Sequence, residues 1–171
     1  MPTIQLKAMT RKLCHELYKH WTNDASIYMD MHLFQPYVYD EAAVNRYFDM
    51  KGQDASRRLF AIMLGDKVIG ELQLKQIDHD KKECSLSIHM QNDAMKGKGY
   101  GTQAERLAVK TAFDELGMAA VNADTIRKNT RSQHVLEKVG FRFVGEDETF
   151  KYYRIEPVSY THLRAHETLR H

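Results

Sequence analysis

Three glycines in five residues, set between a strand-like run and a helix-like run, restrict this chain most. The segment is Lys96-Gly97-Lys98-Gly99-Tyr100-Gly101-Thr102. Before it, Glu83–Met90 alternates Cys84, Leu86, Ile88 and Met90 against Ser85, Ser87, His89 and Gln91, the period of a half-buried strand. After it, Thr102–Leu116 carries Ala104, Leu107, Ala108, Thr111 and Ala112 on one helical face. That small-residue stripe lets a helix lie close on a sheet. Glycine removes the side chains that would keep a ligand off main-chain N–H groups. At a helix start those groups lack internal acceptors, and together with the helix dipole they favour a diphosphate. Lys96 and Lys98 add positive charge. The loop is neither a Walker A sequence nor a GxGxxG dinucleotide fingerprint. A tight turn before a helix has the same pattern, so the surrounding elements decide its meaning.

Those elements follow from period and capping. Thr3–Ala8 alternates Ile4, Leu6 and Ala8, as a strand does. Thr10 caps a helix reading RKLCHELYKHW, with Leu13, Leu17 and Trp21 inward. Asp40 caps a second, EAAVNRYFDM, whose inner stripe is Ala43, Val44, Tyr47 and Phe48. Arg58–Leu64, Val68–Ile77 and Glu83–Met90 form a meander around the turns Gly65-Asp66-Lys67 and Asp78–Lys82. Gly117 ends the long helix. Ala119–Thr125 is a strand, Asn129 caps the helix Thr130–Val139, and Gly140 stops it. Phe141–Glu146 and Phe150–Ile155 close a hairpin around Asp147. The order βααβββαβαββ predicts one α/β (α+β) domain with a largely antiparallel sheet.

Composition narrows the partners. The 171 residues carry 25 Lys+Arg and 23 Asp+Glu, with 43% hydrophobic residues. A near-balanced charge argues against a nucleic-acid binder. No apolar run reaches membrane-spanning length, and the opening MPTIQLKAMTRK lacks a secretory apolar block. Cys14 and Cys84 have no metal-type spacing, so no metal site is expected, and a reducing cytoplasmic setting is. A monomer or homodimer is expected. From Val158 the text changes to VSYTHLRAHETLRH, with three of the nine histidines (His162, His166, His171) and no sustained apolar period. Val158–Thr168 resembles a translated frame of a sequencing-library adaptor. Residues 1–157 are read as the domain and 158–171 as a non-native tail rather than a His-rich metal tract.

With these residues placed, the chain resembles the GCN5-related N-acetyltransferases (GNAT). Their first marker, Gln/Arg-x-x-Gly-x-Gly/Ala between a strand and a helix, matches Lys96–Gly101, with Lys96 at the Gln/Arg position. Their second marker, Asn-x-x-Ser/Ala followed by Glu-Lys-x-Gly-Phe, matches Asn129, Ser132 and Glu137-Lys138-Val139-Gly140-Phe141. The pattern is nearest the ribosomal-protein N-terminal acetyltransferase branch. Gly70-Glu71-Leu72 with Ile77-Asp78-His79 also resembles spermidine acetyltransferases.

The resemblance implies the acyl-CoA N-acyltransferase fold. There the fourth and fifth strands splay, and the pantetheine arm of acetyl-CoA pairs with the fourth strand, here His89, Met90 and Gln91. The phosphates fall on Lys96, Gly97, Lys98, Gly99, Tyr100, Gly101 and Thr102, while Asn129 and Ser132 face the arm and thioester. The implied activity is acetyl transfer to a primary amine, a protein N-terminus or a small amine, by direct attack in a ternary complex. Alternatives are a polyamine acetyltransferase and a non-catalytic acyl-CoA sensor.

Amine attack needs the neutral nitrogen, whereas a free primary amine has a pKa of about 8–10.4. His89 and Glu71 are the candidate bases, with Glu83 behind them. The leaving thiolate needs a donor. Many family members use a Tyr on the later helix, but Leu136 occupies that position, so Ser132 is the candidate. Tyr152 and Tyr153 on the last strand are candidates for the acceptor pocket, with core packing as the competing role. The acceptor is expected to meet Thr22–Asp40, which carries Asp24, Asp30, Asp40, Tyr28, Phe34, Tyr37 and Tyr39.

Overall fold

The computed structural model describes residues 2–24 and 31–158. Its elements are β1 (Ile4–Ala8), α1 (Arg11–Lys19), α2 (Glu41–Gln53), β2 (Arg58–Leu64), β3 (Lys67–Asp78) and β4 (Glu83–Met90). They continue with α3 (Tyr100–Lys110), β5 (Ala120–Ile126), α4 (Thr130–Val139), β6 (Arg142–Glu146) and β7 (Phe150–Ile155). Short 3-10 turns lie at Met31–Leu33 and Asp93–Met95.

Local chemistry explains the helix starts. Thr10 Oγ1 accepts from the Leu13 N–H at 3.1 Å, and Asp40 Oδ1 accepts from Ala42 and Ala43. Asn129 Oδ1 accepts from the Ser132 N–H at 3.2 Å. Each side chain satisfies an N–H that the helix cannot. Gly140, at φ 115°, ends α4 in the left-handed region, where glycine avoids the Cβ penalty.

Seven strands form one sheet in the order β1-β2-β3-β4-β5-β7-β6. All neighbours run antiparallel except β4 and β5. The parallel pair meets only at Glu83–Ala120, Cys84–Val121 and Ser85–Asn122. Beyond Ser85 the strands part, leaving the β5-side edge of β4 from Leu86 to Met90 without a ladder. On its other side β4 pairs with β3 as far as Met90–Gly70. A Cβ at Gly70 would lie 2.8 Å from the His89 carbonyl oxygen, so that close approach requires glycine.

The main core includes Leu72, Leu74, Leu86, Ala104, Ala108, Ala112, Val121, Leu136 and Phe141. A second includes Cys14, Leu17, Val44, Ala61 and Met63, with Tyr18, Trp21 and Tyr47 packed against it. The small-residue stripe holds as expected, since Ala104, Ala108 and Ala112 are fully buried. Two features of the long helix differ from expectation. It begins at Tyr100, because left-handed Gly99 (φ 82°) serves as its cap residue. Its end, Thr111–Glu115, widens into a π turn, with the Leu116 N–H reaching the Thr111 carbonyl at 3.1 Å.

Candidate active site

The parted strands and the start of α3 adjoin in the chain. Gly97 and Gly99 both have positive φ, 72° and 82°, the left-handed region that glycine enters without a Cβ penalty. The Gln103 N–H donates to the Gly99 carbonyl at 3.2 Å. Among the described residues, the amides of 97 through 102 make no main-chain bond outside the helix. A Cβ at Gly97 would meet nothing, and one at Gly101 only Val135 Cγ1 at 4.0 Å. Open N–H groups, glycine clearance and a helix N-terminus suit a diphosphate.

The two lysines diverge. Lys96 Nζ lies 2.5 Å from Asp24 Oδ2 and 3.0 Å from Asp93 Oδ1, with little exposure. It ties the loop to the connection after α1. Lys98 is exposed and joins neither of these carboxylates, so the loop presents its positive charge there.

The open edge of β4 stops short of Gln91. The Gln91 N–H donates to the Ile69 carbonyl at 2.8 Å, and its carbonyl accepts from the Thr22 N–H at 2.9 Å. Its Nε2 donates to the Leu17 carbonyl at 2.8 Å, and the residue is 1% exposed. Gln91 is therefore a staple between β4 and α1, its N–H and its carbonyl both already engaged within the chain. His89 and Met90 remain on the open stretch.

His89 stands directly opposite Glu71 in the β3–β4 ladder, so the two side chains share a sheet face. His89 is exposed. The protein around it still lowers its pKa; the Glu71 charge opposes this, while Lys75 and Lys96 reinforce it. Glu71 is 4% exposed. Its Oε1 accepts from the Tyr18 hydroxyl at 2.6 Å and from Tyr47 at 2.9 Å; Oε2 accepts from Tyr47 at 2.8 Å. Burial first, and the Glu71 charge second, hold both phenols far above the ordinary tyrosine range. Glu71 thus has no open face from which to meet a substrate. Tyr18 and Tyr47 escaped the sequence reading as polar groups. The available signal was an inward tyrosine on each helix, whose hydroxyl must find a partner when buried.

On α4, Ser132 is half-buried beside the Asn129 cap. Leu136 is 2% exposed in the main core, so no phenol stands there. Glu83 accepts from Asn122 Nδ2 at 3.0 Å and from Arg154 Nη1 at 2.6 Å. That places it at the closed end of the cleft, bridging β4, β5 and β7. Tyr153 is buried against Phe143, and the Tyr152 hydroxyl donates to Asp147. In the acceptor connection, Asp24 holds Lys96, Asp40 caps α2, and Tyr37 packs on Tyr18 at 5.8 Å between centroids. The Tyr39 hydroxyl bonds His15 Nδ1 at 2.6 Å. Tyr28, Asp30 and residues 159–171 lie outside the described residues.

The family model for the acetyltransferase (GNAT) domain matches residues 4–142. The chain belongs to the GNAT family. A probable N-acetyltransferase of Bacillus subtilis, YjcK, is 36% identical over 80 residues, 47% of this chain and 44% of that protein. The spermidine N(1)-acetyltransferase of Escherichia coli K12 is 26% identical over 99 residues, 58% and 53%. This GNAT chain therefore matches about half the length of these curated relatives. Among solved structures, the Vibrio cholerae spermidine N-acetyltransferase in complex with CoA and spermine has a TM-score of 0.76 at 19% identity, over 93% of this chain and 98% of that one. A putative acetyltransferase from T. thermophilus has a TM-score of 0.75 at 18% identity, over 97% and 94%. At such identity the likeness is one of fold. Among the described residues no helix is long and apolar enough to cross a membrane.

Proposed function

We propose that this GNAT domain transfers the acetyl group of acetyl-CoA to a primary amine by direct attack in a ternary complex. The observation that carries this reading is the open amide turn at Gly97–Thr102 beside the unpaired edge of β4. The amides and Lys98 would hold the diphosphate, and the main chain of His89 and Met90 the arm. Asn129 and Ser132 would face the thioester from the start of α4. Acetyl-CoA supplies the activated acyl carbon. His89, exposed on β4 and kept short of protonation by its surroundings, takes the amine proton. Ser132 donates toward the leaving sulfur, since Leu136 has no hydroxyl.

A small cationic amine of the polyamine type is the favoured acceptor. The E. coli relative and the V. cholerae structure are both named for spermidine. Here Tyr18 packs against Trp21, Tyr37 and Tyr47, and such an aromatic group is a suitable setting for a cation. A protein N-terminus, suggested by the pattern from Asn129 to Lys138, is the second reading.

The test is thiol release from acetyl-CoA across spermidine, spermine, simple diamines and N-terminal peptides. Turnover greatest with a polyamine supports the first reading, and turnover confined to peptides supports the second. Acetyl-CoA binding by calorimetry with no turnover on any acceptor would replace the enzyme with a sensor.

A further inference from the structure

Glu71 is a buried carboxyl, 4% exposed, whose hydrogen-bond partners among the described residues are all uncharged. Among the described residues it makes no salt bridge; its partners are the neutral hydroxyls of Tyr18 and Tyr47. The nearby guanidinium, Arg57, is held by Asp54 and Gln73. The Gln73 amide in turn donates to the Tyr47 hydroxyl at 3.2 Å, which keeps that phenol turned to Glu71. A buried carboxylate with donors but no counter-charge is costly unless a positive charge arrives. Cys14 also lies within the field of Glu71, but its thiol is pushed up to about 12 by burial and stays neutral. The position opposite Glu71 on the ladder belongs to His89.

We propose that Glu71 is a positioning residue for catalysis: it stabilises the positive charge that His89 acquires on taking the amine proton. This rests on the reading of His89 as base. The groups acting on His89 are Glu71 and Lys75 from β3 and Lys96 from the loop, and only Glu71 favours its charged form. In the step, the amine proton passes to His89 and the freed nitrogen lone pair forms the N–C bond. The C–S bond breaks, its electron pair leaves on sulfur, and the second nitrogen proton ends on the thiolate. Tyr18 and Tyr47 fix the carboxylate without neutralising it, so its field stays directed across the ladder.

Three measurements separate the parts. His89→Gln tests the base itself: loss of the acidic limb of the kcat/KM profile supports it, and a retained limb overturns both the base and this inference. Glu71→Gln, isosteric and still able to accept from one phenol, tests the coupling. Its acidic limb is expected to move down by about one pH unit, with a lower plateau. A folded variant whose plateau falls while the limb stays in place has lost only structure, and overturns the inference while leaving the base standing. NMR titration of His89 without substrate gives the same comparison free of turnover: a lower His89 pKa in Glu71→Gln supports the coupling, and an equal one refutes it. Should that variant fail to fold, Tyr47→Phe removes a donor dipole from the carboxylate and is expected to raise the His89 pKa; no change would overturn the proposal.

Discussion

Arg154 Nη1 lies 2.6 Å from Glu83 Oε1 across the closed end of the cleft. The Asn122 amide donates to the same carboxylate oxygen at 3.0 Å. One glutamate thus joins β4, β5 and β7 at the end of the short parallel ladder, above which β4 and β5 separate.

Breaking that clamp should loosen the hinge more than the chemistry. The Asn122 and Arg154 hydrogen bonds hold Glu83 below the ordinary glutamate range. A depressed folded-state pKa adds stability above the unfolded value, and that stability is lost as pH falls through the folded one. The pair is about one-third exposed, so Glu83→Ala is expected to cost about 1 kcal/mol at pH 7 and less in acid. Thermal melts at pH 7 and pH 3 check this. An equal drop at both would remove the ionic part of the explanation.

Glu105 has the opposite sign. It is 1% exposed on α3, its Oε1 has no hydrogen-bond partner among the described residues, and burial raises its pKa to about 8. A carboxyl raised in the folded state binds its proton more tightly there, so stability falls as pH rises from 4.5 towards 8. The loss is on the order of a few kcal/mol. Glu105→Leu keeps a similar volume without the buried charge. It is expected to raise Tm by several degrees at pH 9 and by less at pH 5, read by calorimetry.

The loop permits a separation of binding from folding. Gly99→Glu confuses the two, since φ 82° strains any side chain. Gly101 has room for a Cβ and sits in the first turn, where an acidic group favours the helix. Gly101→Asp should therefore keep or raise Tm while weakening acetyl-CoA at least tenfold by repelling its diphosphate. Calorimetry beside a melt decides it, and intact affinity would remove the diphosphate from this turn.

The lysines should divide in the same way. Lys98→Ala is expected to weaken acetyl-CoA several-fold, with the difference fading at high salt. Lys96→Ala, which removes the Lys96 ion pairs with Asp24 and Asp93, should instead lower Tm with a smaller effect on affinity. The reverse result would make Lys96 the phosphate ligand.

On α4, Asn129→Ala loses the cap bond to Ser132 N–H and is expected to cost about 1 kcal/mol of stability. Ser132→Ala leaves that bond in place. It should lower kcat with little change in the acetyl-CoA KM, and unchanged kcat would exclude its hydroxyl from the reaction.

The elements themselves were legible in one dimension because their causes are local. Arg58–Leu64, Glu83–Met90 and Thr130–Val139 lie where period and caps put them. Thr10, Asp40 and Asn129 cap as their positions imply, since a cap and its N–H donors are at most three residues apart. The glycine turn was legible for the same reason: its open amides follow from spacing and helix polarity.

Partners distant in sequence were decided only by the fold. Period could not tell that Lys96 closes on Asp24 rather than facing the loop, or that Gln91 is stapled to Leu17 and Thr22. Nor could it tell that Tyr18 and Tyr47 converge on Glu71, or that Glu105 is buried beside the alanine stripe. A side chain's period sets which face it occupies. What lies across that face depends on how helices and strands from different parts of the chain pack, and that packing sets each group's burial and charge.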